Sequence, residues 1–171
     1  MKILNDFQTT VRKALEEIDP NYESYDGLVV CGTHRPELVE QMINEIYNAR
    51  VKGTPFLGIC FGHQLAAIEY ARNVLKQPGA TSEELFDPRN KEYINNLQIP
   101  PQFIVIKRPG GLKVGLHDRE SWWNNYEVLP DFEKMWKKPP HFITCQFHPE
   151  YQSSKDKPHP LLVQFMNLCK K

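Results

Sequence analysis

Residues 57–65, "LGICFGHQL", set one cysteine between two glycines, with an apolar run before it and good helix formers after it. Gly58-Ile59-Cys60-Phe61-Gly62 is G-x-C-x-G at a strand-to-helix junction, the nucleophile-elbow pattern with cysteine in the place of serine. A nucleophile needs such a corner to project from a sheet edge, and flanking glycines remove the Cβ atoms that would collide in so sharp a turn. The helix behind it turns its positive end toward the sulfur and favours thiolate over thiol. Its first backbone N–H groups, that of Phe61 foremost, can hold an oxyanion. The plainer alternative is a buried cysteine packed between two small residues, and the elbow alone does not separate the two.

A cysteine nucleophile needs a base, which sequence distance does not locate. Of the six histidines, His148 stands out in "HFITCQFHPEYQSS" (141–154). Phe142 to Phe147 reads as a strand and His148-Pro149-Glu150 follows at its end. Residues two apart in extended chain project to the same side, and Pro149 biases His148 toward extended geometry. Glu150 is thus placed to bond one imidazole nitrogen and leave the other for Cys60, the logic of a base with an orienting carboxylate. His63, inside the elbow helix, is expected to pack rather than to act as a second base. Cys31, after Val-Val, is expected to be a small buried filler.

These residues resemble the class I glutamine amidotransferases, which carry a G-x-C-x-G-x-Q elbow and a later H-P-E. Here the elbow is Gly58 to Gln64. Within that family the chain is most similar to the glutaminase domains of CTP synthases. "PFLGICFGHQLAAIEYARNV", "GGLKVG", "YEV" and "CQFHPEYQSS…HPLLVQFM" resemble segments of those domains in the same order. The resemblance implies a flavodoxin-like α/β sheet with helices on both faces. It implies Cys60 as nucleophile, His148 as general base and Glu150 as its partner. L-glutamine would be the substrate, its polar head held by Gln64 and by an acid of "GATSEELFD", Glu84 with Glu83 as the rival. The nitrogen acceptor would be a synthetase domain or subunit. The chain departs from the family in four ways. The oxyanion loop reads Cys31-Gly32-Thr33, so only one glycine remains and the second donor falls on the amide of Gly32 or Thr33. Asn125 stands where an arginine would grip the substrate carboxylate, leaving Arg119, or Arg89 and Lys91 from a lid, to compensate. A synthetase domain is not expected within the chain, and a strand between the first helix and "YDGLVV" is missing. Two other readings stay open: a catalytically impaired regulatory or binding module, and a cysteine hydrolase of another γ-glutamyl or amide substrate.

These groups must be positioned by the rest of the 171 residues, a length that fits one domain spanning 1–171. With 21 basic and 21 acidic residues and no long basic run, nucleic acid is not an expected partner. No apolar run reaches membrane-spanning length. The four cysteines form no C-x-x-C and no metal-ligand spacing, so a reduced, cytoplasmic protein without metal or cofactor is expected. Apolar periodicity predicts a helix over Asp6–Ile18, a strand over Gly27–Val30 and an amphipathic helix over Pro36–Arg50. The face of that helix would be Leu38, Val39, Met42, Ile43, Ile46 and Tyr47. The elbow strand and a helix over Gln64–Val74 follow. Polar Lys76–Pro100 reads as a loop or lid. Strands are expected over Phe103–Lys107, Leu112–Leu116, Tyr126–Leu129 and Phe142–Phe147, then a helix over Leu161–Cys169 opened by Pro160. Of Trp122 and Trp123, one ring should be buried and one should lie on the rim.

Overall fold

The computed structural model describes residues 1–6, 8–32, 35–86 and 99–170. Its central sheet consists of β1 (Lys2–Leu4), β2 (Leu28–Val30), β3 (Phe56–Ile59) and a late strand, β9 (Phe142–Cys145), in the order β1-β2-β3-β9. All neighbours are parallel, with Ile3 beside Val29, Val29 beside Leu57 and Leu57 beside Ile143. Short apolar runs suit strands covered on both faces, and the pleat sorts their side chains between two cores. Leu28, Val30, Phe56 and Phe142 meet helices α2 (Val39–Lys52) and α3 (Phe61–Asn73) on one face. Val29, Leu57, Ile59, Ile143 and Cys145 meet α1 (Thr10–Ile18) and the C-terminal helix, α5 (Pro160–Cys169), on the other. The expected α/β sheet with helices on both faces is therefore present.

In a flavodoxin-type order 2-1-3-4-5, these four strands occupy places 1-3-4-5. Residues between α1 and β2 form only a short 3-10 turn, Tyr22–Ser24, so the strand that would flank β1 on its free side is missing. The topology has an unusual consequence. The connections β1-α1-β2 and β2-α2-β3 step the same way across the sheet, yet their helices lie on opposite faces. The two crossovers are therefore of opposite hand, against a strong general preference for right-handed connections.

A smaller sheet is built from β4 (Ala80–Ser82), β5 (Gln102–Lys107) and β8 (Tyr126–Val128), with β4 parallel and β8 antiparallel to β5. It buries Ile104, Val105 and Val128 in the same core as α3. A two-stranded ribbon, β6 (Lys113–His117) and β7 (Glu120–Asn124), pairs Val114 with Trp123 and Gly115 with Trp122. Between β8 and β9, the short helix α4 (Pro130–Met135) adds Phe132 to the α3 core, and Trp136 follows it there.

Several boundaries differ from the sequence expectation for local reasons. Helix α1 starts at Thr10 rather than Asp6, because the Asp6 carboxylate accepts the N–H groups of Arg12 at 2.9 Å and Val11 at 3.4 Å and so lies outside as a cap. Pro36–Leu38 is a 3-10 turn ahead of α2. Tyr47 of α2 is 38% exposed instead of lining its buried face, which Ala49 completes. The stretch expected to be a loop over Lys76–Pro100 contains β4 and a 3-10 turn, Glu83–Phe86. Residues 87–98, with Arg89 and Lys91, lie outside the described residues, as does Thr33. Strands β1 and β7 and helix α4 were not expected.

Candidate active site

Cys60 sits between the last residue of β3 and the first of α3, with φ 51° and ψ −102°. A non-glycine residue rarely occupies that region, and its strain requires the surroundings to enforce it. The enforcement comes from both sides. The Cys60 N–H donates to the Cys145 carbonyl at 2.8 Å, tying the corner to β9. Behind it, a Cβ on Gly62 would lie 2.0 Å from the Val30 carbonyl oxygen, so only glycine lets the start of α3 dock on the end of β2.

Beyond β9 the chain runs through Gln146 and Phe147 to His148 and a 3-10 turn, Pro149–Gln152. His148 and Glu150 are both buried, and His148 Nδ1 meets a Glu150 carboxylate oxygen at 2.8 Å. The imidazole stacks on Tyr151, and its backbone N–H donates to Ser121 of the ribbon at 2.7 Å. Gly32 wedges against this pair. A Cβ there would stand 2.6 Å from His148 Cε1 and 3.0 Å from Cys60 Cβ, so no side chain fits against the two residues at this position. Burial pulls the His148 pKa down, but hydrogen bonds to Cys60 and Glu150, with their charges, overcome it and raise it to about 10. The arrangement favours the protonated imidazole. Elsewhere burial pushes thiols up: Cys31 and Cys145 well above the ordinary range, Cys169 to about 12.

Cys60 opens into a cleft of about 840 Å³, and all eight residues proposed from the sequence line it: Gly32, Cys60, Phe61, Gln64, Glu84, Asn125, His148 and Glu150. The rival acid, Glu83, accepts the Lys107 N–H at 2.7 Å instead and is not among the cleft-lining residues. The Gln64 carboxamide donates to the Tyr126 carbonyl at 3.0 Å and to Gln146 Oε1 at 3.3 Å, leaving its own oxygen buried without a partner among the described residues. Among the described residues no lysine or arginine lines the cleft, and Arg119 lies off it.

Two residues escaped the sequence reading. Asn124, buried next to Asn125 and lining the cleft, donates to the same Tyr126 carbonyl at 2.9 Å, and its buried oxygen has no partner among the described residues. Gln146 donates to Cys60 Sγ at 3.5 Å. Its position two residues before His148, on the same side of an extended chain, was the available signal. Trp122 is half-buried against Phe147 under the Lys113 ammonium, and Trp123 is 65% exposed at the cleft. His63 is engaged at both ring nitrogens, by Thr144 at 3.0 Å and Glu133 at 3.4 Å, and packs near Trp136; burial lowers its pKa.

Residues 4–168 match the family model described as glutamine amidotransferase class-I. The chain is 32% identical to the CTP synthase of Trichormus variabilis over 82% of this chain and 33% of that protein. Identity to the CTP synthase of Encephalitozoon cuniculi is also 32%, over 84% of this chain and 34% of the relative. The CTP synthase of Methanocaldococcus jannaschii matches at 32% over 80% and 32%. The chain thus spans about a third of the length of the curated relatives it matches. Among solved structures, the CTPS glutaminase domain of Trypanosoma brucei with bound acivicin superposes with a TM-score of 0.67 at 20% identity. That match covers 97% of this chain and 89% of the other, and at such identity it is a likeness of fold.

Proposed function

Given that the chain belongs to the class-I glutamine amidotransferase family, we propose that it hydrolyses the side-chain amide of glutamine through Cys60 and supplies the ammonia to a synthetase. The observation that carries this reading is the buried His148–Glu150 pair set against a strained Cys60, with Gly32 close against both. The Cys60 thiolate attacks the amide carbon, and the backbone N–H groups of Phe61 and Gly32 are the proposed donors to the oxyanion. His148, held protonated, gives its proton to the departing nitrogen, which leaves as ammonia. The resulting thioester carries no charge on sulfur. One of the two interactions that raise the His148 pKa is then lost, burial regains weight, and the imidazole becomes a base able to activate water. Water releases glutamate and restores the thiolate. The unpartnered oxygens of Gln64 and Asn124, with Glu84, suit the substrate's ammonium. Ammonia released into water would be protonated and diluted, so a synthetase is the proposed recipient, and a reducing cytoplasm the proposed setting for a working thiol.

Alkylation with a chloroketone analogue of glutamine tests the nucleophile. Cys60 should be modified first, because burial raises the other three thiols. Equal labelling of Cys31 or Cys145 in the native protein would remove Cys60 from its role.

One observation favours a second reading, hydrolysis of a different γ-glutamyl or amide substrate: among the described residues the cleft offers no cation for a free carboxylate. An arginine at Asn125 would add a charge-assisted grip, a hydrogen bond to a charged group being worth roughly 1.5–3 kcal/mol. Asn125→Arg should therefore lower the KM for glutamine by about 10- to 100-fold. Steady-state kinetics with glutamine decide it, and an unchanged KM would show that the carboxylate is held elsewhere.

A further inference from the structure

We propose that Gln146 is a catalytic residue of this centre: its carboxamide N–H holds the Cys60 sulfur as thiolate, and Gln64 fixes the orientation that makes this possible. The proposal rests on Cys60 being the nucleophile.

Register brings the two residues together. Ile59 and Cys145 are partners across β3 and β9, and the Cys60 N–H bonds the Cys145 carbonyl, so the next residue of that chain lies level with Cys60. Along β9, Phe142 joins the α3 core and Thr144 bonds His63 of α3, while Ile143 and Cys145 belong to the opposite core. Gln146 continues the even-numbered series and reaches the first turn of α3, where it meets Gln64.

A carboxamide could present either end to sulfur, and only one end helps a thiolate. Here the choice is made by a group with no choice of its own. The Tyr126 carbonyl can only accept, and it receives Gln64 Nε2 at 3.0 Å and Asn124 Nδ2 at 2.9 Å. With its nitrogen thus fixed, Gln64 donates its second N–H to Gln146 Oε1 at 3.3 Å. The oxygen of Gln146 is therefore occupied, and its nitrogen faces Sγ at 3.5 Å. The chain of donors runs from the Tyr126 carbonyl through Gln64 and Gln146 to sulfur.

The partners of sulfur then sort by protonation state. The Trp123 carbonyl, 3.7 Å from Sγ, can bind only the protonated thiol. Gln146 donates, and a donor bonds an anion about twice as strongly as a neutral acceptor. It therefore favours the thiolate before attack, and again when the thioester breaks and sulfur leaves as an anion.

The test is the pH dependence of Cys60 alkylation by iodoacetamide in the full chain, followed by peptide mapping and ultraviolet thiolate absorbance. Gln146→Met keeps the length and removes the donor. Its midpoint should rise by about one pH unit, a tenfold loss of thiolate at neutral pH. Gln146→Asn, too short to reach, should do the same and serves if the first variant folds poorly. Gln64→Met, which touches no sulfur, should move the midpoint the same way by less, and combining it with Gln146→Met should add nothing further. The titratable groups that interact with the sulfur, His148, Cys145 and Tyr151, and the carboxylates that share its cleft, Asp6, Glu84 and Glu150, are intact in every variant. A merely structural role would lower the melting temperature and leave the midpoint in place, and an unmoved midpoint in folded Gln146→Met and Gln146→Asn overturns the proposal. The readout needs no glutamine. A chain that hydrolyses none but shows the shift sinks the substrate reading alone, and an active hydrolase with no shift sinks only the role of Gln146.

Discussion

His148→Ala is expected to abolish glutamine turnover, with a fall in kcat on the order of 10⁶-fold, because on the proposed mechanism one side chain supplies both the proton for ammonia and the base for water. Glu150→Gln should cost less than His148→Ala, on the order of 10⁴-fold, since the imidazole remains but an amide in place of the carboxylate can hold it in the wrong tautomer. The order of the two effects follows from the geometry. Glu150 meets Nδ1, whereas the sulfur interacts with the ring itself. Steady-state glutamate release measures both, and normal hydrolysis by His148→Ala would end the assignment. The same residue predicts a pH effect on the fold. A histidine raised from 6.5 to about 10 on folding contributes stability fully below about pH 6.5, and that contribution is lost as pH rises through about 10. Between pH 7 and 10 the melting temperature of the native protein should therefore fall more steeply than that of His148→Gln.

Gly62→Ala is expected to damage the fold rather than the chemistry. The added Cβ would meet the Val30 carbonyl oxygen at 2.0 Å and the Val30 carbonyl carbon at 2.8 Å, and backbone cannot turn aside as a side chain can. Overpacking a well-filled core costs about 1–3 kcal/mol where side chains can adjust, and here β2 and α3 must part, so a loss above about 3 kcal/mol is expected. For a chain of this size that lowers the melting temperature by roughly 10 °C. Gly110→Ala, where no atom lies within 4 Å of the new methyl, is the matched control and should be nearly neutral. Equal melting temperatures for the two would mean that α3 does not dock on β2 as described.

The elbow and the His148–Glu150 pair were legible because each is a local pattern: a glycine-flanked corner, and two residues spaced by the pleat. The longer strands and helices were legible from their apolar periodicity. Strand β1 was not, since three residues are too few to show a period, and it forms only because β2 offers a partner 26 residues away (Lys2 beside Leu28). Asn124 and Gln146 were missed for a different reason. Asn124 has no distinctive neighbourhood in sequence, and the spacing of Gln146 from His148 does not by itself show that it reaches the sulfur. Each acquires its role through pairings that close over long distances, Gln146 through the β3–β9 register and Asn124 through a carbonyl that it shares with Gln64. The acid next to Ser82 was narrowed to two by motif, and the fold separates them by occupying Glu83 with the backbone of β5.

The backbone of Cys60 also bears on how this chain could change over generations. Its φ of 51° is a conformation that glycine adopts freely and cysteine does not, and holding a residue there costs roughly 1–3 kcal/mol. Cysteine and glycine codons differ by a single nucleotide, so a route to a more stable but unreactive protein lies one point mutation away. A lineage with no use for the sulfur would gain by taking it, since relief of strain rewards every folded molecule at once. Cys60→Gly should accordingly melt higher than the native chain while releasing no glutamate. If the proposed reaction runs at this corner, it is a standing tension between durability and reactivity, held in place only for as long as that reaction is worth more to its host than the stability.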